Sequence, residues 1–435
     1  MFTVSMRLAR CAGPRRWAPA LAVCAVFLAA NSRADESLTL EQALRLAQQR
    51  SAQLVAQDAG AAASREMAAA ASQLPDPVLK TGLYSVPISG PDRFSFTRDS
   101  FTMLSVGVSQ EFTRADKRKA RAGRFDREAA VAQAARAVAL ANLRRDTATA
   151  WLDRLYQERM REVLQAQRAE AGLQIEAADA TYRGGRGTQA DVFAARSAVA
   201  QIDDRIRQTD KQIVVSKTRL ARWVGDGASL ALGAAPNLAA VPFDASTLET
   251  ELAHHPQIAL MVQQEALAQA EVDIALSNKR PDWSAELTYS QRGRDYSNMV
   301  SFNVSIPLQW DQANRQDREV AAKLALVQQM RAQREDATRD HVAQTRGWLQ
   351  EWQGNRDRLT HFDDALIPLA GERTRAALAA YRGGAGTLSA VLEARRMEID
   401  TRTERLRLEM ETAGLWAQLE YLIPATHDAI AATEK

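Results

Sequence analysis

Few residues in this 435-residue chain are of a type and spacing that could do chemistry. Gly184-Gly185-Arg186-Gly187 has the glycine density of a phosphate-binding loop. Such a loop needs a preceding strand and a following Lys-Ser/Thr to bring amides and an ammonium onto the phosphates, and this stretch has neither. His254-His255-Pro256 offers two metal-ligating side chains. Adjacent histidines on a helix point apart, however, and no other His or Cys lies nearby in sequence; a helix-start role fits better. No nucleophile, base and orienter are spaced for catalysis. The sequence therefore predicts no enzyme, no cofactor and no metal site, and the glycines need another explanation.

They belong to a repeat. Tyr182-Arg183-Gly184-Gly185-Arg186-Gly187-Thr188 recurs as Tyr381-Arg382-Gly383-Gly384-Ala385-Gly386-Thr387, an offset of 381 − 182 = 199 residues. The match continues through Val192/Val391, Ala195/Ala394 and Arg196/Arg395. Each copy interrupts a run rich in Ala, Arg and Glu. Glycines at this density supply backbone freedom that no helix interior would choose. Thr188 and Thr387 then stand where an N-cap belongs. Both stretches read as tight helix–turn–helix tips. A period of 199 residues is too long for a solenoid unit and implies a duplicated half-protein.

Composition sets the class. Pro and Gly number only 13 and 21 and are clustered, which favours few, very long elements. Arg7, Arg10, Arg15 and Arg16, the uncharged apolar stretch 17–30 and the small-x-small Ser32-Arg33-Ala34 read as a secretory signal over 1–34. Val23 makes Leu21-Ala22-Val23-Cys24 a poor lipidation box. Removing the signal takes five arginines and no acid, so the formal charge moves from +3 to +3 − 5 = −2. The basic balance thus gives no case for nucleic acid. Cys11 and Cys24 leave as well, and an exported chain without cysteine must be stable by packing alone. No later apolar run approaches the ~20 residues of a transmembrane helix.

In chain order, 37–72 reads as a helix stopped by Pro75-Asp76-Pro77. Strands are expected at about 78–86 and 101–112. In the second, Leu104, Val106 and Val108 alternate with Ser105, Gly107 and Ser109; Lys80 interrupts the first. A helix of about 66 residues and about 100 Å follows, from about 115 to 180. Ala134, Ala141, Ala148 and Leu155 give it a coiled-coil step of seven. The tip 182–188 and a return helix over 189–223 complete a first repeat, 35–227. The stretch 228–245, with Pro236 and Pro242, reads as a linker. The second repeat, 246–425, has the same plan: a helix from about 246 to 278, strands at about 283–291 and 299–309, a long helix from about 311 to 380, the tip 381–387 and a return helix. A tail, 426–435, ends the chain. Trp352, Leu359 and Leu366 keep the step of seven. Pro368 stands where the first half has Ala169 and predicts a kink in one repeat only. The fold class is mainly α with a small β part, in duplicated helix-strand-strand-helix-helix halves.

Strands of ~9–11 residues with one apolar face are the spanning unit of an outer-membrane barrel. Four cannot close, and lipid tolerates no open edge. Three chains would give about 12 strands, and a cyclic trimer would gather the long helices into a tube beneath them. The double Tyr-x-Gly-Gly tip, the strand pairs after Pro-Asp and the duplicated halves resemble the TolC-like family of trimeric outer-membrane efflux channels. The resemblance covers 35–425. Leu74-Pro75-Asp76-Pro77, Thr102-Met103, Gly107-Val108-Ser109-Gln110-Glu111 and Lys117-Arg118 resemble its heavy-metal-resistance branch (cobalt-zinc-cadmium and copper-silver).

What this implies is a homotrimer in the outer membrane of a Gram-negative cell, its barrel against outer-membrane lipid and its α-helical coiled-coil tunnel in the periplasm. It would be a passive exit duct for toxic compounds, heavy-metal cations above all. Its tips (Tyr182, Gly184, Gly185, Gly187 and Thr188; Tyr381, Gly383, Gly384, Gly386 and Thr387) would dock a periplasmic adaptor (membrane fusion protein), itself joined to an inner-membrane RND transporter. The family also has two acidic gate positions after the second tip. Here they are Ala390 and Glu393, so the resemblance assigns a periplasmic gate to Glu393 alone. Many relatives have proline at both strand-to-helix corners; this chain has Ile306-Pro307-Leu308 in the second half but Gln110-Glu111-Phe112 in the first.

The arginine-rich faces at 114–124 and 154–168 read as solvated coiled-coil faces, with i,i+4 pairs linking Arg154 and Arg161 to Glu158 and Glu162. A field in the upper tunnel from Arg114, Lys117, Arg118, Lys119, Arg121 and Arg124 is a second reading. A structural coiled-coil envelope protein, or a periplasmic adaptor without a pore, remains the alternative function. Neither would need amphipathic strand pairs.

Overall fold

The computed structural model describes residues 37–242 and 255–422. The expected signal with Cys24, the expected helix start at 246–254, including His254, and the C-terminal tail lie outside the described residues.

The opening helix is two helices. Thr39 caps α1 (Leu40–Arg50) in a capping box with Gln42. Ser51 then leaves the helical region at ψ 100° and caps α2 (Ala52–Ala71), accepting from the Leu54 amide at 3.3 Å. A serine hydroxyl competes with the helix ladder in this way, and it divides the expected single helix 37–72. Strand β1 (Val78–Tyr84) is shorter than expected because Ser85 turns the chain at φ +58°. Strand β2 (Met103–Phe112) leads into α3 (Ala115–Arg183), 69 residues and so about 100 Å long. After the first tip, α4 (Gln189–Val224) runs back to Gly225, whose φ of +64° ends it. A 3-10 turn follows (Gly225–Ser229).

The second half supplies α5 (Pro256–Asn278), β3 (Trp283–Arg292) and β4 (Met299–Ser305). Strand β4 stops short of Pro307, which has no amide to give a ladder. The second long helix starts at Gln316, not near 311, because Asp311 and Asn314 form a side-chain-bonded turn first. It is α6 (Gln316–His361), then a π-turn (Phe362–Leu366), then α7 (Ile367–Arg382). Pro368 lacks an amide and its ring crowds the carbonyl four residues back. The ladder widens there, the Ile367 amide reaching the Phe362 carbonyl. The widened turn also shifts the seam. Phe362 is buried and Leu366 is exposed, so the step of seven does not extend to Leu366 as expected. After the second tip, α8 (Leu388–Glu420) completes the fold.

The long helices pack through small residues, Ala141, Ala148 and Ala150 among them. The largest apolar cluster gathers Leu38, Trp151, Leu220, Trp352 and Trp416 from both halves. The described part of the expected linker, 228–242, is a strap over this cluster. Leu38 and Leu232 form a parallel bridge, and the Trp151 and Trp416 indoles donate to the carbonyls of Leu38 (2.9 Å) and Ala240 (3.0 Å). Arg154, expected on a solvated face, is buried here. It donates to the carbonyls of Ala228 (2.8 Å) and Leu230 (2.7 Å) and pairs with Glu158. Arg161 pairs with Asp210 at 3.7 Å, across to α4, and not along its own helix.

Candidate functional site

The four strands form one antiparallel sheet in the order β1-β2-β3-β4. Its register sorts the side chains by face, since directly opposed residues point the same way. One face carries the rows Leu79–Val108–Leu287–Phe302 and Thr81–Val106–Tyr289–Val300. The other carries Lys80–Gly107–Thr288–Ser301 and Gly82–Ser105–Ser290–Met299. Exposure is inverted relative to a water-soluble sheet. Leu79 and Phe302 are 69% and 68% exposed, while Ser105 and Ser290 are both 4% exposed and share a 2.7 Å hydrogen bond. Among the described residues, the outer edges of β1 and β4 pair with no strand. Aromatic side chains stand at both ends. Phe112 stacks on Trp283 at 4.2 Å at the helix end, Trp310, 87% exposed, follows the helix end of β4, and Tyr84, Phe94, Phe96 and Phe101 are exposed at the loop end.

Where β2 turns into α3, the missing proline is replaced by a contact between halves. Arg114 has no side-chain cap of its own, but its amide donates to Asp282 Oδ1 at 3.0 Å. Lys117, buried, pairs with Asp282 Oδ2 at 2.7 Å. Burial pushes the Asp282 carboxyl up, yet the Lys117 ammonium and the Arg114 amide outweigh it and hold it below the usual value. Gln110 donates to the Pro75 carbonyl at 2.7 Å and Arg118 to the Ser72 carbonyl at 2.9 Å. Lys117 and Arg118, expected on a solvated basic face, are therefore fasteners of this corner.

The two tips share one backbone. Gly185 and Gly384 have φ of +71° and +75°. The amides of Arg186 and Gly187 both reach the Thr181 carbonyl (3.0 and 3.1 Å), as those of Ala385 and Gly386 reach Ala380 (2.9 and 3.0 Å). A Cβ on Gly187 would lie 2.9 Å from Thr181 Oγ1, and one on Gly386 would lie 3.1 Å from the Tyr381 amide nitrogen. A Cβ on Gly185 or Gly384 would meet nothing within 4 Å. Thr188 and Thr387 cap the return helices, Thr188 in a box with Asp191. The tips also meet: the Thr181 and Tyr381 hydroxyls are 3.3 Å apart, above a cluster of Ala178, Val192, Ala195, Leu388 and Val391. Tyr182, Gly184 and Gly383 are exposed.

Glu393 lies on α8 with its side chain 68% exposed, 3.8 Å from Arg373 on α7. Arg395 is engaged by Glu170 and Glu398, and Arg396 by Asp400. The residue that faces Glu393 is thus neither of its sequence neighbours.

His255 caps α5, its Nδ1 accepting from the Gln257 amide at 3.1 Å. Its ring also lies 4.6 Å from that of His341 on α6, a neighbour 86 residues away that sequence proximity did not reveal. Among the described residues, no cluster of three or more His, Cys, Asp or Glu is placed to hold a metal ion. The hollow beside the pair, about 910 Å³, is lined by Asp146, Asp153, Arg219 and Arg222 as well. Burial and the facing His341 hold the His255 imidazole down to about 4, and burial lowers His341 too. A value below the unfolded one means that this contribution is full above about pH 6.5 and lost as pH falls towards 4. Over that window, wild type should lose up to about 3 kcal/mol more unfolding free energy than His255→Asn, which keeps a capping acceptor and does not titrate. Equal slopes in denaturant titrations would show that His255 ionises freely.

Residues 247–423 match the family model described as outer membrane efflux protein. A search of curated proteins gave no match. Among solved structures, the outer membrane protein VceC of Vibrio cholerae superposes with a TM-score of 0.72 at 20% identity, over 88% of this chain and 95% of that one. The Campylobacter jejuni CmeC outer membrane channel gives 0.73 at 12% identity, over 88% and 85%. The open state of the Neisseria gonorrhoeae MtrE outer membrane channel gives 0.70 at 14% identity, over 88% and 88%. Their fold pairs a helical tunnel with a barrel, and the matched family is one of passive transport ducts, not of enzymes. The second half of this chain thus carries the signature of the outer membrane efflux proteins, and the described chain has the fold of the outer-membrane channels.

Proposed function

We propose that this protein is the outer-membrane exit duct of a tripartite efflux system, acting as a homotrimer. The observation that carries the reading is the inverted sheet: an exposed apolar face, a polar face buried at its centre around Ser105 and Ser290, and two open edges. In lipid an unpaired strand edge is untenable, so β1 of one copy must meet β4 of the next. Three copies close a barrel of about 12 strands, with aromatic residues at both water interfaces and the polar face turned to the lumen. No helix among the described residues is long and apolar enough to cross a membrane, so the sheet is the element offered to the bilayer. The halves 35–227 and 246–425 are then two structural repeats of each protomer. Their helices continue the barrel as a tunnel into the periplasm of a Gram-negative cell.

The tips at 182–188 and 381–387 dock the hairpins of a periplasmic adaptor, which links the duct to an inner-membrane RND transporter. Heavy-metal cations are the cargo favoured by Leu74-Pro75-Asp76-Pro77 and Lys117-Arg118, the residues that resemble the metal-resistance branch. These residues sit at the strand-to-helix corner, so they speak for kinship and not for cargo contact. A pore-free coiled-coil spacer has no use for an exposed apolar sheet. Cross-linking of the detergent-extracted protein should end at trimers, and the mature chain should fractionate with the outer membrane and resist salt extraction. A stable monomer in a bilayer would overturn the reading.

A further inference from the structure

Lys80 is the charge that breaks the apolar pattern of β1, and the register puts it on the polar face. Its Nζ lies 2.5 Å from Glu286 Oε2 on β3, two strands away. Strands separated by one neighbour stand about 9.6 Å apart, twice the usual spacing, so the two side chains must reach towards each other over β2. The residue of β2 directly opposite Lys80 is Gly107. A Cβ there would lie 2.5 Å from Thr288 Oγ1, and that hydroxyl donates to Glu286 Oε1 at 3.1 Å. Gly107 thus leaves room for Thr288 to hold one carboxylate oxygen while Lys80 holds the other. The other charged side chains on this face of the strands are Arg292 at the loop end, which donates to the Ser100 carbonyl, and Glu111 at the helix end. Each protomer therefore presents a balanced face.

We infer that Lys80 and Glu286 form a charge clasp across β2 that determines ion selectivity in the barrel lumen, with Gly107 and Thr288 as its positioning residues. The inference rests on the trimeric duct reading. Three clasps lie at one height around the lumen, and each ion pair cancels its own field at that level. Removing one partner leaves a ring of three like charges. Such rings set the sign of the permeant ion in a pore, and within about 8 Å of the wall salt does not screen them out. Selectivity is thus held near neutral by pairing, not by absence of charge.

The test is the reversal potential of purified trimers in planar bilayers under a potassium chloride gradient. Lys80→Met, which leaves three Glu286 carboxylates, should raise the cation-to-anion permeability ratio roughly threefold or more, and Glu286→Gln should lower it as much. The double variant should return to the wild-type ratio. Lys80→Arg should stay there throughout, since it keeps the charge. Unchanged reversal potentials in both single variants, in channels that conduct, would overturn the clasp while leaving the duct intact. If a single variant fails to assemble, the swap Lys80→Glu with Glu286→Lys reads the same point. It must form trimers of wild-type selectivity, and failure to do so overturns the proposal. Wild-type protein that forms no trimers and carries no current would instead overturn the duct reading itself.

Discussion

Cells carrying Gly185→Val together with Gly384→Val are expected to lose resistance to the exported toxicant, down to the level of a strain without the duct, while trimers still reach the outer membrane. Both glycines sit at positive φ, +71° and +75°. A β-branched residue there costs roughly 1–3 kcal/mol at each tip. The strain is a backbone strain alone, because an added Cβ meets nothing within 4 Å at either position. The chain can relieve it only by rotating out of the turn. The amides that converge on the Thr181 and Ala380 carbonyls would then be pulled away, and the tips would lose their shape. Assembly should survive, since the sheet and the belt around Trp151 and Trp416 lie far along the long helices from the tips. Gly185→Asn with Gly384→Asn separates shape from sequence, because asparagine accepts positive φ far better than valine. That pair should keep most resistance and adaptor binding. Full resistance in the double valine variant would mean that the tips are connectors and that docking happens elsewhere.

Much of this architecture was legible because the signals are local. The Tyr-Arg-Gly-Gly repeat and the threonines after it place both tips within a residue, since positive φ and capping are decided inside six residues. Alternation of Leu104, Val106 and Val108 with small polar residues placed β2 as well. What stayed hidden was carried by partners far apart in sequence. Lys117 looks like part of a solvated face until Asp282, far along the chain, is brought beside it, and Arg118 until the Ser72 carbonyl is. Arg154 forms the expected i,i+4 pair with Glu158, but nothing local shows that the strap carbonyls of Ala228 and Leu230 also descend on it and bury it. The adjacency of β2 and β3, which makes one sheet of two strand pairs, has no local signal. The break at Ser51 is a different failure. One serine in an Ala-rich run is compatible with a continuous helix, and only its non-helical ψ decides otherwise. Pro368 announced a kink, but a proline disturbs the turn before it. The seam therefore slipped at Phe362–Leu366, taking Leu366 out of the core.

Glu393→Ala is expected to abolish most of the divalent-cation block of single-channel current from the periplasmic side, and to raise conductance. Glu393 stands twelve residues past Tyr381, and just over one helical turn past the start of α8 at Leu388. In a threefold tube, one such residue would become three carboxylates around the mouth, a site that attracts divalent cations. Its side chain is 68% exposed, so the Arg373 pair at 3.8 Å is a surface pair and holds it weakly. Arg373 is also within reach of the Met397 sulfur, a competing neighbour on α8. In such a tube the arginine would temper the ring without cancelling it. This gives a second arm with the opposite sign. Arg373→Ala should deepen the block several-fold, because each carboxylate loses its only ion-pair partner among the described residues. Ala390→Asp, one turn nearer the tip, should deepen it further by adding a second ring. A pair serving only to join α7 to α8 predicts something else: both alanine variants would leave conductance and block as they are in wild type. That result would move the constriction away from Glu393.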